Sequence, residues 1–247
     1  MYNSFYFLHI PKTAGRFFTH NVVVPLREPL INNGIHSFYD RENYVAHQHW
    51  GNFITKDTYV TSIIRDPIKH AVSSYCHFTM LDAGAQRTVP LALDEFNKID
   101  MFKWWEYHLD FISNQQCKNF LIEDPGIRKD GTKIGYGNSQ VMKNCTVTKE
   151  IILKKFEDVS LLIKSENLSL QNVNKIHNKI LNDFNITDFK INHKIQKASN
   201  YWNPDSTRIY NSLDKKDKER ILSYSPVDSE IYNTESLFYK FDRNDNG

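Results

Sequence analysis

The chain has 247 residues, 40% hydrophobic and 24% charged, enough apolar material for a packed core and too much for a disordered or fibrous protein. Its 31 Lys and Arg against 29 Asp and Glu leave a formal charge of +2, too balanced for a protein that coats nucleic acid, so any anion site must be local. Three cysteines without metal-ligand spacing point to reduced thiols rather than a disulfide framework, and no metal is expected. No apolar run approaches the roughly 20 residues of a membrane helix, and residues 4–10 start too early and lack a basic lead for a signal peptide. The expectation is a soluble, cytoplasmic chain.

Ser4 to Ile10 (SFYFLHI) is a nearly continuous apolar run closed by Pro11, which suits a strand buried on both faces of a parallel sheet. Arg16 to Val24 reads as a helix. A second strand, Tyr59 to Ile64, runs into Arg65-Asp66-Pro67, where Asp66 can cap a helix and Pro67 can occupy its first turn. That helix is expected over Pro67 to Met80. Asp124 to Asn144, with four glycines, reads as a loop; Val159 to Ile163 is a third strand candidate; Leu170 to Phe184 and Lys215 to Tyr224 read as helices. With sparse Pro and Gly and no repeat, these units predict a single α/β domain, a central parallel sheet flanked by helices. Trp104 and Trp105, adjacent in sequence, cannot share one helix face, so one of them is expected exposed or in a cleft.

His9 to Gly15 (HIPKTAG) sits where the first strand turns into a helix, so that backbone N–H groups and a helix N-terminus aim at one point, a natural anion cradle. Pro11 ends the strand, Lys12 adds a mobile charge, Thr13 a hydroxyl, and Gly15 permits the backbone conformation or close approach that a side chain would block. The nucleotide triphosphatase spacing is absent, and an ordinary turn with a solvated lysine fits the same residues. Arg65 lies at the carboxyl end of the second strand, where open α/β sheets bind ligands, and Ser73 follows on the next helix. A guanidinium fork and a hydroxyl suit a second phosphate, so the pair suggests a ligand with two separated phosphate groups. A plain helix start with Arg65 on a surface carboxylate is the other reading.

HIPKTAG followed by IIRDPIKHAVSSYCHF resembles the paired signatures of PAPS-dependent carbohydrate sulfotransferases, in particular heparan sulfate and uronyl 2-O-sulfotransferases. The resemblance implies a P-loop-like sulfotransferase fold in which Lys12, Thr13, Ala14 and Gly15 hold the 5′-phosphosulfate of the donor and Arg65 and Ser73 its 3′-phosphate, with PAP as product. Tyr75 and Phe78 complete the family's S-x-Y-x-x-F run. Ser113 to Gln116 is similar to a segment near the acceptor, Leu161 to Leu168 to a strand followed by Glu, and His193 to Asn200, with Lys197 and Ser199, to the late basic loop over the donor. Arg16 and Phe17 stand where hydroxyl residues are usual, so one donor-binding role is expected to be lost or taken over by Arg16 or Thr19. Lys69 and His70 stand for a usual arginine. Animal members sit in Golgi membranes behind an anchor, so a lumenal placement is expected only if an anchor has been removed.

Sulfuryl transfer needs in-line positioning, charge stabilisation and a base for the acceptor hydroxyl. Ala46-His47-Gln48-His49-Trp50 supplies two histidines, whose pKa range suits the base. The resemblance implies catalysis by such an H-x-H; His49 is taken as base and His47 as its orienting or acceptor-contacting partner. Ordinary partly buried histidines, or a metal pair without a third ligand, are the other readings, and Asp40, Glu42 and Glu123 are reserve bases. Lys12 is given a second role, stabilising charge on the leaving nucleotide phosphate. Trp rings and Lys194, Lys197 and Arg208 suit a carbohydrate acceptor of open identity. A phosphoryl-transfer enzyme using the same loop, and a non-catalytic nucleotide or sulfated-ligand binding module, remain the alternatives.

Overall fold

The computed structural model of the chain describes residues 2–37, 54–85, 98–122, 144–187, 189, 191 and 204–241. At its centre is a four-stranded, all-parallel sheet with strand order β2-β1-β3-β4. The strands are β1 (Ser4–Leu8), β2 (His36–Ser37), β3 (Thr58–Ile64) and β4 (Leu161–Lys164). Ser4 lies opposite Thr58 and Leu8 opposite Ser62; Thr61 lies opposite Leu161 and Ile64 opposite Lys164. Every residue of β1, β3 and β4 is buried, because alternate side chains enter two different cores.

On one face, Phe5, Phe7, Tyr59, Ile63, Leu161 and Ile163 pack under the helical run Gly15–Asn32 and under α8 (Leu170–Asp183). On the other face, Tyr6, Leu8, Val60, Ile64 and Leu162 meet Phe120 of α6 (Gln115–Leu121), Ile152 and Phe156 of α7 (Lys149–Phe156) and Ile231 of α11 (Pro226–Tyr232). Each such side chain, fully buried, contributes about 1.5–3 kcal/mol. A third, all-helical core joins α3 (Pro67–Ala85), α4 (Lys98–Tyr107), α5 (Leu109–Ile112), α9 (Pro204–Ser212) and α10 (Lys215–Tyr224).

The first helical run departs from expectation. It begins with α1 (Gly15–Phe18), widens into a π-helical stretch (Thr19–Val23) and continues as α2 (Val24–Asn32) instead of ending at Val24. Pro25 stands in the first turn of α2 and Pro29 inside it; each removes one donor from the helical ladder, and Leu26 and Leu30 beside them are buried in the core. The tryptophan expectation is corrected: Trp104 and Trp105 are both only 2% exposed. Helix α4 is covered on two sides, so Trp104 lies against Tyr75 of α3 (centroids 5.9 Å apart) while Trp105 stacks on Tyr224 of α10 (6.1 Å). The loop expected over Asp124 to Asn144 lies outside the described residues except for Asn144. Among the described residues, no helix is long and apolar enough to cross a membrane.

Candidate functional site

Strand β1 ends at Leu8, whose carbonyl accepts a hydrogen bond from the Ser62 hydroxyl at 2.8 Å. The chain then turns through Pro11 to Ala14 before helix α1 begins. Lys12 (φ 65°) and Ala14 (φ 69°) are both left-handed, and Thr13 between them is not. Such alternation points successive N–H groups into one concavity, a backbone nest for an anion. Among the described residues, no acceptor is bonded to the N–H of Lys12, Thr13 or Ala14. The Thr13 hydroxyl, fully buried, donates to the Ile10 carbonyl at 2.7 Å, so it braces the loop from within and leaves the backbone as the source of donors. Gly15 is required for space: a Cβ there would lie 1.9 Å from Nε2 of His9, whose ring stacks on Phe7 (5.6 Å, 14°). Arg16 is exposed at the start of α1.

Strand β3 delivers the second half. Asp66 caps α3 by accepting from the Lys69 N–H at 2.9 Å, and Pro67 takes the first helical position, as expected. The Arg65 guanidinium reaches across to β1 and donates through Nη1 to the Lys12 carbonyl at 3.1 Å. One turn into α3, His70 Nε2 lies 3.0 Å from the Pro11 carbonyl; a carbonyl only accepts, so the ring is the Nε2–H tautomer. Two side chains from beyond β3 therefore hold two consecutive carbonyls of the loop after β1. Ser73 is buried on the helical turn that follows His70. Sequence and structure agree in bringing Lys12 and Arg65 together.

The electrostatics follow from this crowding. Burial, then the neighbouring Arg65 and Arg16, pull the Lys12 ammonium down to about 8. Burial also lowers Arg65, partly offset by Glu166 and Asp66. His70 is pushed down to about 3, mainly by burial and further by Arg65 and Lys12, against the pull of its bond to Pro11; it is neutral near pH 7. The result is concentrated positive charge beside unsatisfied backbone donors, an arrangement that an anion stabilises. Glu166, just beyond β4, accepts from the Tyr232 hydroxyl at 3.1 Å and lies 3.7 Å from Lys69, which keeps one acidic group at the rim.

Residues that sequence reasoning did not place at the site complete it. The Gln116 carboxamide brackets the Arg65 backbone: Oε1 accepts from Arg65 N–H at 2.8 Å and Nε2 donates to the Arg65 carbonyl at 2.9 Å. In the sequence Gln116 belongs to a segment similar to one near the acceptor, and no local pattern signals its pairing with Arg65. His70 stands in the sequence where an arginine is usual, and nothing local signals its bond to the Pro11 carbonyl. The expected base pair His47 and His49, and Lys197 and Ser199 of the late loop, lie outside the described residues, as do Asp40, Glu42 and Glu123. Comparison with protein-family models, with curated proteins and with solved structures finds no match to this chain.

Proposed function

We propose that the chain is a sulfotransferase that moves a sulfuryl group from PAPS to a hydroxyl on a carbohydrate acceptor, within a P-loop-like sulfotransferase fold. The observation that carries this reading is the bond from Arg65 to the Lys12 carbonyl, which joins two anion-binding strand ends into one site. A ligand with phosphate groups at two nearby positions uses both: the nest at Lys12 to Gly15 takes the 5′-phosphosulfate, and Arg65 with Ser73 takes the 3′-phosphate. The charged Lys12 then offsets negative charge that builds on the departing nucleotide phosphate. His49, oriented by His47, takes the proton from the attacking acceptor hydroxyl, and Lys197 and Ser199 close over the donor. The product nucleotide is PAP. The resemblance of both motifs, in order and spacing, to carbohydrate sulfotransferases supports this reading over a kinase.

The test has two parts. PAP should raise the melting temperature, with about 2.7 kcal/mol of added stability at a hundredfold excess over its dissociation constant; ATP with magnesium should not. Labelled PAPS, offered with desulfated polysaccharides, oligosaccharides and small hydroxyl compounds, should transfer label to at least one. Stabilisation by ATP with magnesium but not by PAP would favour phosphoryl transfer. PAP binding without transfer to any acceptor would leave a binding module.

A further inference from the structure

We propose that Gln116 and Asp228 are positioning residues for the anion site, acting through Arg65. The donor assignment to PAP rests on the function proposed above; the positioning itself does not.

Arg65 follows the last paired residue of β3, since the ladder to β4 ends at Ile64 opposite Lys164 and the ladder to β1 ends two residues earlier. Its backbone N–H and carbonyl would lose their sheet partners there. One carboxamide replaces them: Gln116 donates to one and accepts from the other at 2.9 and 2.8 Å, as a residue of a neighbouring strand would. This fixes the backbone from which the guanidinium extends to the Lys12 carbonyl. Gln116 is fully buried, so the carboxamide has little freedom to find other partners.

Gln116 is itself held by the C-terminal part of the chain. The Asp228 carboxylate, buried on α11, accepts from the Gln116 N–H at 3.1 Å and from the Cys117 N–H at 2.9 Å. The arrangement is reciprocal, because the Asn114 side-chain oxygen accepts from the N–H groups of Val227 and Asp228 at 2.8 and 3.2 Å. Two short helices thus cap one another. Asn114 adopts φ 49° to do so. The chain of contacts runs from α11 through α6 to Arg65 and ends on the loop after β1.

The experiment uses the full-length chain and compares Gln116→Met, which keeps volume and removes both bonds, with Tyr59→Phe. The second variant loses a bond to Asp183 at the amino end of β3, about 20 Å from Arg65 at 3.3 Å per residue. Two readouts are taken below both melting temperatures: PAP affinity by calorimetry, and the NMR order parameter of the Arg65 Nε–H group without nucleotide. Gln116→Met should weaken PAP binding about tenfold, equivalent to about 1.4 kcal/mol, and loosen Arg65; Tyr59→Phe should lower the melting temperature and change neither. Asp228→Asn, which keeps one acceptor oxygen, should act in the same direction as Gln116→Met, and if it does not fold Gln116→Met decides alone. An unchanged Arg65 order parameter in Gln116→Met, or equal loosening in Tyr59→Phe, overturns the proposal. If the wild-type chain binds no PAP, the donor reading fails while the order parameter still decides the positioning role.

Discussion

His70 offers a quantitative check on the loop's architecture. Its ring is buried and lies in the field of Arg65 and Lys12, so its pKa falls from the ordinary 6.5 to about 3 although its bond to the Pro11 carbonyl pulls the other way. The unfolded chain binds a proton on this histidine below about pH 6.5, whereas the folded chain refuses it until about pH 3. Folding stability therefore falls with acidification across that window, with a slope approaching 1.4 kcal/mol per pH unit. Between pH 7 and pH 5 the His70 contribution is a loss of about 2 kcal/mol. His70→Gln keeps an N–H donor at similar reach and removes the titration. Urea unfolding of both chains at the two pH values should show the wild type losing about 2 kcal/mol more than the variant, and the remaining histidines and carboxylates cancel in the difference. Equal losses in the two chains, or a His70 imidazole that titrates near pH 6 by NMR, would refute the reasoning.

Three further outcomes are expected. Because Lys12 loses its proton as pH rises through about 8, PAP affinity should decline above that pH, where the ligand's phosphates are already fully ionised, and Lys12→Arg should remove the decline; a wild-type profile flat from pH 7 to pH 10 would contradict this. Ala14 is left-handed, so Ala14→Gly should relieve more strain than it adds in unfolded-chain entropy, with a net gain of about 0.5–1 kcal/mol measurable by denaturant unfolding. In Gly15→Ala the His9 ring must retreat by about 1.5 Å from its stack on Phe7 to restore ordinary contact, costing about 1–3 kcal/mol. The double variant His9→Ala with Gly15→Ala should recover part of that cost, and failure to recover any would place the strain elsewhere.

The parts of the fold legible in the sequence are those governed by short-range patterns. Continuous apolar runs mark β1 and β3, and Asp66-Pro67 marks the start of α3, because strand burial and capping act within a few residues. The strand expected at Val159 starts at Leu161, and the helices at Leu170 and Lys215 start where expected. The first helix reads as ending at Val24, whereas the helical run passes Pro25 at the start of α2 and Pro29 inside it, because a proline removes a ladder bond without always ending a helix that tertiary packing holds. The loop after β1 was readable as a candidate anion site from Lys12 and Gly15 after a strand. Its strained positions were not: left-handed backbone falls on Lys12 and Ala14 rather than on the glycine, and Gly15 is required instead by a ring packed against it. Gln116 and Asp228 were invisible for a different reason. Their contacts join positions 51 and 112 residues apart, and a single pairing at such separation leaves no periodic trace.

The same separations govern when the site can come into being. The β1 and β3 partners are 54 residues apart in the chain and those of β3 and β4 are 100 apart, a high-contact-order topology that folds slowly. Asp228, the last contributor, is made more than 200 residues after Lys12, at roughly 5–20 residues per second. A nascent chain thus carries Lys12 for many seconds before Arg65 is locked beside it, and the concentrated positive charge is assembled only when the packed sheet is there to hold it.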